Sequence, residues 1–270
     1  MDKKILFTDM DGTLLNKDAE ISPRMHEALE RLTSNGHLLV LATGRPFPSV
    51  KERIANLGLR SICDYVITNN GCLIYDLKAN KPLYQKKLSK ETIKKSVDIA
   101  LSFGLHVHSY SETEIVGLSE DKELAFYRRR IFMPFVKTDD ISETLKDGAF
   151  KVQIISLSDK ERLERAQDAL NKELSGEAQA FFSNDYYLEV LPYNVTKGSA
   201  LKYLADYLNV PIENTFAAGD EGNDIPMIVA AGTGVAMKNA KDEVKSAADI
   251  VTKDTNADDG LIEIIETYFK

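Results

Sequence analysis

Cysteine is scarce in this chain: Cys63 and Cys72 are the only two in 270 residues. Two unpatterned cysteines do not make a disulfide scaffold. They fit buried packing in a reducing cytosol. No apolar run is long enough to span a bilayer. The first residues lack a basic segment followed by an apolar stretch and a small-residue cleavage site, so no secretory signal is read and a cytoplasmic location is expected. Basic residues are outnumbered, 34 against 42, for a net charge of −8. That balance argues against non-specific binding of nucleic acid or of an anionic membrane. An anionic substrate would then need local positive charge or a metal. There is no internal repeat and no low-complexity segment. What remains, 43% hydrophobic and 28% charged residues, is the composition of a globular protein long enough for one large domain or two smaller ones. Nothing in it reports an oligomeric state.

Charge is used unusually at one place. The first apolar run, Ile5-Leu6-Phe7-Thr8, leads into Asp9-Met10-Asp11-Gly12-Thr13. Side chains alternate along a strand, so Asp9 and Asp11 start out facing the same way. Two carboxylates that close raise each other's pKa unless a cation or a proton settles them. Either a metal sits there, or one carboxyl works as an acid, or both. A carboxylate can attack phosphorus and form an aspartyl-phosphate. A second carboxyl can supply a proton to the leaving alcohol and later take one from water. The plain alternative is a tight turn at Asp11-Gly12.

The chain around this pair alternates strand and helix. After the strand Lys4–Thr8, Ser22-Pro23 reads as an N-cap and first helical residue. Met25, Ala28, Leu29 and Leu32 follow at helical spacing, and Gly36 marks the end. His37–Ala42 is an apolar strand, Pro48–Leu57 a helix, and Tyr65–Thr68 a third strand ending at Asn69-Asn70-Gly71. This β-α-β-α-β rhythm implies a parallel sheet covered by helices, with ligands gathering at the carboxyl ends of its strands. The middle differs. Ser89–Phe103 reads as helix, His106–Tyr110 and Glu114–Leu118 as paired strands, and Glu120–Phe132 as helix. Lys151–Leu157 reads as a strand, and Ser158 with Glu161 as a capping box for a helix to Leu174. Ala178–Ser183 and Tyr186–Leu191 read as a strand pair. The first rhythm then returns, with a helix over Lys197–Leu208, a strand over Thr215–Ala218, a helix from Ile225, short strands near Gly234–Ala236 and Ile250–Val251, and a closing helix to Tyr268. The expected fold is α/β: a Rossmann-like parallel-sheet core over residues 1–83 and 192–270, interrupted by an α+β insert over 84–191.

Four short motifs fall at strand ends or helix starts of this frame. They are Asp9-x-Asp11-Gly12-Thr13, Thr43-Gly44-Arg45, Lys197-Gly198, and Gly219-Asp220-Glu221-Gly222-Asn223-Asp224. Asp9 and Asp220 offer hard oxygen ligands, with Asp224 close by, and no His or Cys cluster accompanies them in sequence. That chemistry favours Mg²⁺. Thr43, Lys197 and Asn223 supply a hydroxyl, an ammonium and an amide suited to a phosphoryl group. Backbone N–H groups of Met10, Asp11 and Gly44 can add an anion-binding nest. Phosphoryl transfer needs mostly positioning and neutralisation of spread negative charge, and this set provides both.

These motifs, in this order, resemble those of the haloacid dehalogenase superfamily of phosphatases, and the resemblance covers essentially the whole chain. The large insert between Thr43 and Lys197, together with Leu41-Ala42-Thr43-Gly44-Arg45-Pro46 and Asn70-Gly71, is similar to the Cof-type subgroup. That subgroup carries a C2-type α/β cap and includes the YidA-like sugar phosphatases. The resemblance implies that Asp9 is the nucleophile and a Mg²⁺ ligand. Asp11 would be the acid/base and offer its backbone carbonyl to the metal. Met10, Thr43, Gly44, Lys197 and Asn223 would hold phosphate, Asp220 would ligate Mg²⁺, and Asp224 would orient the metal shell. Arg45 would meet the substrate or form a structural ion pair. The cap would close over the site and select a small phosphorylated metabolite, sugar phosphates foremost. Two rival activities use the same aspartate chemistry: phosphoryl transfer to a sugar, and a phospho-aspartate sensor without turnover. Outside the motifs, His106 and His108 alternate on one strand without further ligands for a metal. Arg128–Arg130 reads as a solvated helix face rather than a phosphate clamp, and Tyr186, Tyr187 and Glu189 read as packing residues before a lining of the leaving-group pocket.

Overall fold

The computed structural model describes residues 2–270, which form two compact units. The first takes the chain as far as Gly44, then Glu52–Tyr84 and Thr196–Lys270. The second takes Gln85–Val195 and also Arg45–Lys51, a stretch the sequence reading assigned to the core.

The first unit is built on a sheet of eight strands among the described residues. In spatial order they are Ile250–Val251, Thr233–Ala236, Thr215–Gly219, Ile5–Thr8, Leu38–Ala42, Cys63–Thr68, Leu73–Asp76 and Lys81–Gln85. The first six run parallel, and Leu73–Asp76 turns back antiparallel to its neighbour. Ile5–Thr8 lies between two parallel partners and is buried on both faces, as the unbroken apolar run requires. Its register pairs Thr8 with Ala218 on one side and Leu41 on the other. The carboxyl ends of three strands are thereby level, so Asp9, Thr43 and Asp220 emerge along one rim. On one face, Ile5, Phe7, Val40 and Ala217 pack with Leu201 and Leu204 of the helix Lys197–Tyr207.

The expected helix after Ser22 is present as Pro23–Ser34. Ser22 Oγ accepts from the Met25 N–H, and Gly36 takes a left-handed φ of 85°. The strands Leu73–Asp76 and Lys81–Gln85 are elements the sequence reading missed. Lys81–Gln85 is the edge of the sheet, where Pro82 and the exposed Lys81 break the apolar pattern, and Leu73–Asp76 lies just inside it. Both cysteines are buried thiols, and burial pushes the Cys63 thiol up to about 12.

The second unit has a six-stranded sheet in the order Ala178–Asn184, Tyr187–Pro192, Val152–Ile155, His106–Tyr110, Ile115–Gly117 and Phe135–Lys137. The pairings are antiparallel except the last. Val107, Val152, Ile154, Leu188 and Val190 face the helices Lys90–Ser102 and Lys160–Glu173. The opposite face is polar along several strands. His106 and His108 do not sit as an isolated pair there. Hydrogen bonds run from Asp121 to His106 (2.7 Å), to His108 (2.8 Å), to Tyr110 (2.9 Å) and to Tyr127 (2.5 Å). Beside them Lys151 and Glu189 form a buried ion pair at 3.0 Å. Two helix ends differ from expectation. The cap of Lys160–Glu173 is Asp159, which accepts from the Arg162 N–H, in place of Ser158 with Glu161. The helix expected over Glu120–Phe132 covers only Lys122–Arg128, because Asp121 caps it late and the chain ahead must reach Pro134 and the strand Phe135–Lys137. Arg128, Arg129 and Arg130 are exposed as expected, but only Arg128 lies in the helix, and the other two follow its end. No helix among the described residues is long and apolar enough to cross a membrane.

Gly198 sits in the first turn of Lys197–Tyr207, where a Cβ would run into the Pro226 carbonyl. We expect Gly198→Ala to lower stability by about 1–3 kcal/mol through overpacking at this buried joint. Urea denaturation measures it, and an unchanged midpoint would show that the joint has room to spare.

Candidate active site

Lys197 begins a helix held by a reciprocal cap: Thr196 Oγ1 accepts from the Ser199 N–H, and Ser199 Oγ accepts from the Thr196 N–H. The cap fixes where the lysine leaves the backbone. Its ammonium is fully buried and donates to Asp9 Oδ1 and Asp224 Oδ1, both at 2.6 Å. Asp9 has just left the strand Ile5–Thr8, and its N–H donates to the Ala218 carbonyl at 2.9 Å. Asp224 is also fully buried. Its Oδ2 accepts from the N–H groups of Asp220 and Glu221, at 3.0 and 3.1 Å. Gly219 allows this fold-back, since a Cβ there would overlap Asp224. Asp220 is held from the other side, where Thr13 Oγ1 donates to its Oδ1 at 2.8 Å. Gly12, at φ +85°, leaves the Asp220 carboxylate the space a side chain would take.

One ammonium thus faces several carboxylates. Burial pushes the Asp9 carboxyl well above the ordinary range. Lys197 opposes this, while Asp224, Asp220 and Asp11 add to it. Asp220 is pushed up to about 7, by burial first and by Asp224 second, with Thr13 pulling the other way. Burial works against the Lys197 charge, but Asp224 and Asp9 outweigh it and hold the ammonium above its ordinary pKa. Asp9, Asp220 and Asp224 each bring an oxygen to within 4.8 Å of the other two. Both Asp224 oxygens already have partners, so Asp9 and Asp220 are the better placed to hold a cation while Asp224 fixes the loop and the lysine. A hard, all-oxygen donor set with surplus negative charge fits Mg²⁺.

The remaining expected residues divide. Thr43 is buried, its N–H donating to the Ile67 carbonyl at 2.9 Å. The Met10 side chain is fully buried, so only its backbone is available to an anion. Asp11 is exposed and outside the three-carboxylate cluster, although it still feels Asp9 electrostatically. The Asn223 side chain donates to Asn70 Oδ1 at 3.0 Å. Gly44 lies so close to the Asn70 side chain that a Cβ would be 3.1 Å from it. Arg45 belongs to the second unit, where its guanidinium donates to the Arg130 carbonyl at 2.6 Å. Sequence reasoning missed Thr13 as the support of Asp220, although it ends the first motif. It also missed Asn239, whose amide donates to the Gly12 carbonyl at 2.8 Å and which no local pattern marks.

Two outcomes are expected. Lys197→Met leaves Asp9 and Asp224 buried without their cation. It should cost about 3–5 kcal/mol at pH 8, and less at pH 5, where the Asp9 carboxyl, already pushed up by burial, takes up a proton instead. Denaturant titrations at the two pH values test this, and an equal loss at both would contradict it. Second, Asp220 must lose its proton to bind a cation. Its pKa near 7 makes Mg²⁺ stabilisation weak at pH 5.5 and full above about pH 8. Without metal the sign reverses: the raised carboxyl pKa makes the protein lose stability as pH rises from about 4 towards 7. Melting curves with and without Mg²⁺ across this range check both signs, and a Mg²⁺ effect independent of pH would rule out Asp220 as the controlling ligand.

Residues 6–265 match the family model for haloacid dehalogenase-like hydrolases. The chain is 31% identical over 268 residues to the 5-amino-6-(5-phospho-D-ribitylamino)uracil phosphatase YcsE of Bacillus subtilis, covering 99% of this chain and 96% of that one. A haloacid dehalogenase-like hydrolase from Bacteroides thetaiotaomicron superposes with a TM-score of 0.87 at 32% identity, over 98% of this chain and 99% of its own. The TM0651 structure from Thermotoga maritima gives 0.83 at 30% identity, over 98% and 97%. With the family model spanning nearly its whole length and the four motif loops gathered at one rim of the sheet, this chain belongs to the haloacid dehalogenase-like hydrolases.

Proposed function

We propose that the protein is a Mg²⁺-dependent phosphomonoester hydrolase working through an aspartyl-phosphate. The observation that carries the reading is the buried Lys197 ammonium held 2.6 Å from Asp9, with Asp220 beside it. This arrangement aims the Asp9 carboxylate, sets a cation against the burial that works on its charge, and supplies positive charge where a phosphoryl group would sit. An Asp9 oxygen bonds to phosphorus while the bond from phosphorus to the alcohol oxygen breaks. The Asp11 carboxyl gives its proton to that oxygen. Water then attacks phosphorus, Asp11 takes the water's proton, and the bond to Asp9 breaks, releasing inorganic phosphate. Asp11 suits the proton role because it is solvent-exposed, whereas Asp9 is buried. The Lys197 ammonium, the Thr43 hydroxyl, the Asn223 amide and the backbone N–H groups of Met10 and Gly44 bind the phosphoryl oxygens. Asp9, Asp220 and the Asp11 carbonyl hold Mg²⁺, with Asp224 steadying the shell. The metal supplies charge neutralisation for the transferring group.

The substrate class we favour is a small phosphorylated metabolite with a hydroxyl-rich leaving group, sugar phosphates foremost. Relatives named for a phosphoribitylamino-uracil support a polyol arm next to the phosphate. Arg45, one residue beyond Gly44 in sequence, is the weaker candidate for meeting the substrate.

Asp9→Asn should lower release of free phosphate from para-nitrophenyl phosphate by roughly 10³-fold or more, while circular dichroism stays that of the folded protein. Full retained activity would sink the proposal. Phosphate found on an acceptor sugar instead of in solution would move the assignment to phosphoryl transfer.

A further inference from the structure

The turn Asn69-Asn70-Gly71 is strained and buried, and it lies outside the four motifs. Asn69 and Asn70 both have left-handed backbone, at φ 49° and 53°, and Gly71 follows at φ 108°. Two successive asparagines at positive φ are costly, and such strain persists where the surroundings over-determine it. Asn69 and Asn70 are each 1% exposed, and Asn69 Oδ1 has no hydrogen-bond partner.

The turn touches three of the four motif loops. The Asn70 N–H donates to the Thr43 carbonyl at 3.1 Å. The Asn70 side chain fills the space against Gly44. Its Oδ1 accepts from Asn223 Nδ2 at 3.0 Å. Gly71 packs so tightly on the Thr196 carbonyl, one residue before Lys197, that a Cβ cannot fit. One turn therefore spans from the Thr43 loop to the cap of the Lys197 helix and to the Asn223 amide.

We infer that Asn70 is a positioning residue for the phosphate site, acting through Asn223. The amide–amide bond sets the rotation of the Asn223 carboxamide. One Asn223 N–H is committed to Asn70, and the other points elsewhere at a fixed angle. Without Asn70 the Asn223 side chain turns freely, and its donor is lost from the site for most orientations. The left-handed backbone is what lets a residue so close to Gly44 aim its side chain at Asn223. Asparagine tolerates that backbone better than most side chains. The inference rests on the proposed role of Asn223 in holding phosphate.

The test is a double-mutant cycle of Asn70→Gly with Asn223→Ala. Glycine keeps the left-handed backbone without strain, so Asn70→Gly removes the side chain and spares the turn. The readouts are kcat and KM for para-nitrophenyl phosphate, the inhibition constant of inorganic phosphate, and the melting temperature. Asn70→Gly should lower kcat/KM and weaken phosphate inhibition by roughly tenfold, the scale of one hydrogen bond to a group that meets an ion, with the melting temperature nearly unchanged. Asn70→Gly in the Asn223→Ala background should add nothing further. Wild-type kinetics in Asn70→Gly, with Asn223→Ala impaired, overturns the inference and leaves the functional reading standing. Additive losses overturn the route through Asn223 and make Asn70 a merely structural residue. Wild-type kinetics in Asn223→Ala overturns both this route and the proposed role of Asn223, a failure distinct from the first.

Discussion

The candidate site depends on one interaction, the Lys197 ammonium shared between Asp9 and Asp224. Burying any of these charges alone would cost several kcal/mol. Together they are still unbalanced, because Asp220 and Asp11 add negative charge to the same neighbourhood. The lysine can serve two carboxylates only because its helix start is fixed by the Thr196–Ser199 cap and pressed against Pro226 at Gly198. Asp224 can be one of the two only because Gly219 lets the loop fold back on itself. The remaining charge surplus is the physical reason the site fits a divalent cation.

The sheet supplies the level platform. Parallel pairing of Ile5–Thr8 with strands on both sides brings three strand ends to one rim, so residues separated by some two hundred positions become neighbours. What departs from the rim is then held by short polar clamps: Thr13 on Asp220, Asn239 on the Gly12 carbonyl, and Asn70 on Asn223. Each clamp fixes a loop whose own sequence leaves it free to move.

Much of the fold was legible because it follows from periodicity. The parallel strands announce themselves as apolar runs buried on both faces, and the first helix by its Ser-Pro start. The insert was readable as strand-rich with helices, but its details were not. Asp159 took the cap expected of Ser158, and Asp121 caps a helix expected to begin at Glu120, since neighbouring polar residues offer nearly equal caps and packing chooses between them. Leu73–Asp76 was missed because four residues are too few to write a pattern, and Lys81–Gln85 because an edge strand this exposed carries little of the burial that writes one. The same limit applied to His106 and His108. Their alternation, continued by Tyr110, was visible, but the Asp121 and Tyr127 partners that complete the hydrogen-bonded chain come from the start and body of a later helix.

By itself, the sequence determined the chemistry on offer. Carboxylates, a lysine, a threonine and an asparagine at strand ends and helix starts are local facts, and local order sets which residue types appear there. Only the tertiary structure decided how they are shared out. It placed Lys197 on both Asp9 and Asp224, tied up both oxygens of Asp224, left Asp11 in solvent, and drew Arg45 into the second unit. It also bound Asn223 to the strained Asn70. Hydrogen bonds and charge pairs across such distances depend on strand register and close approach of backbones, and neither is written in any single stretch of chain.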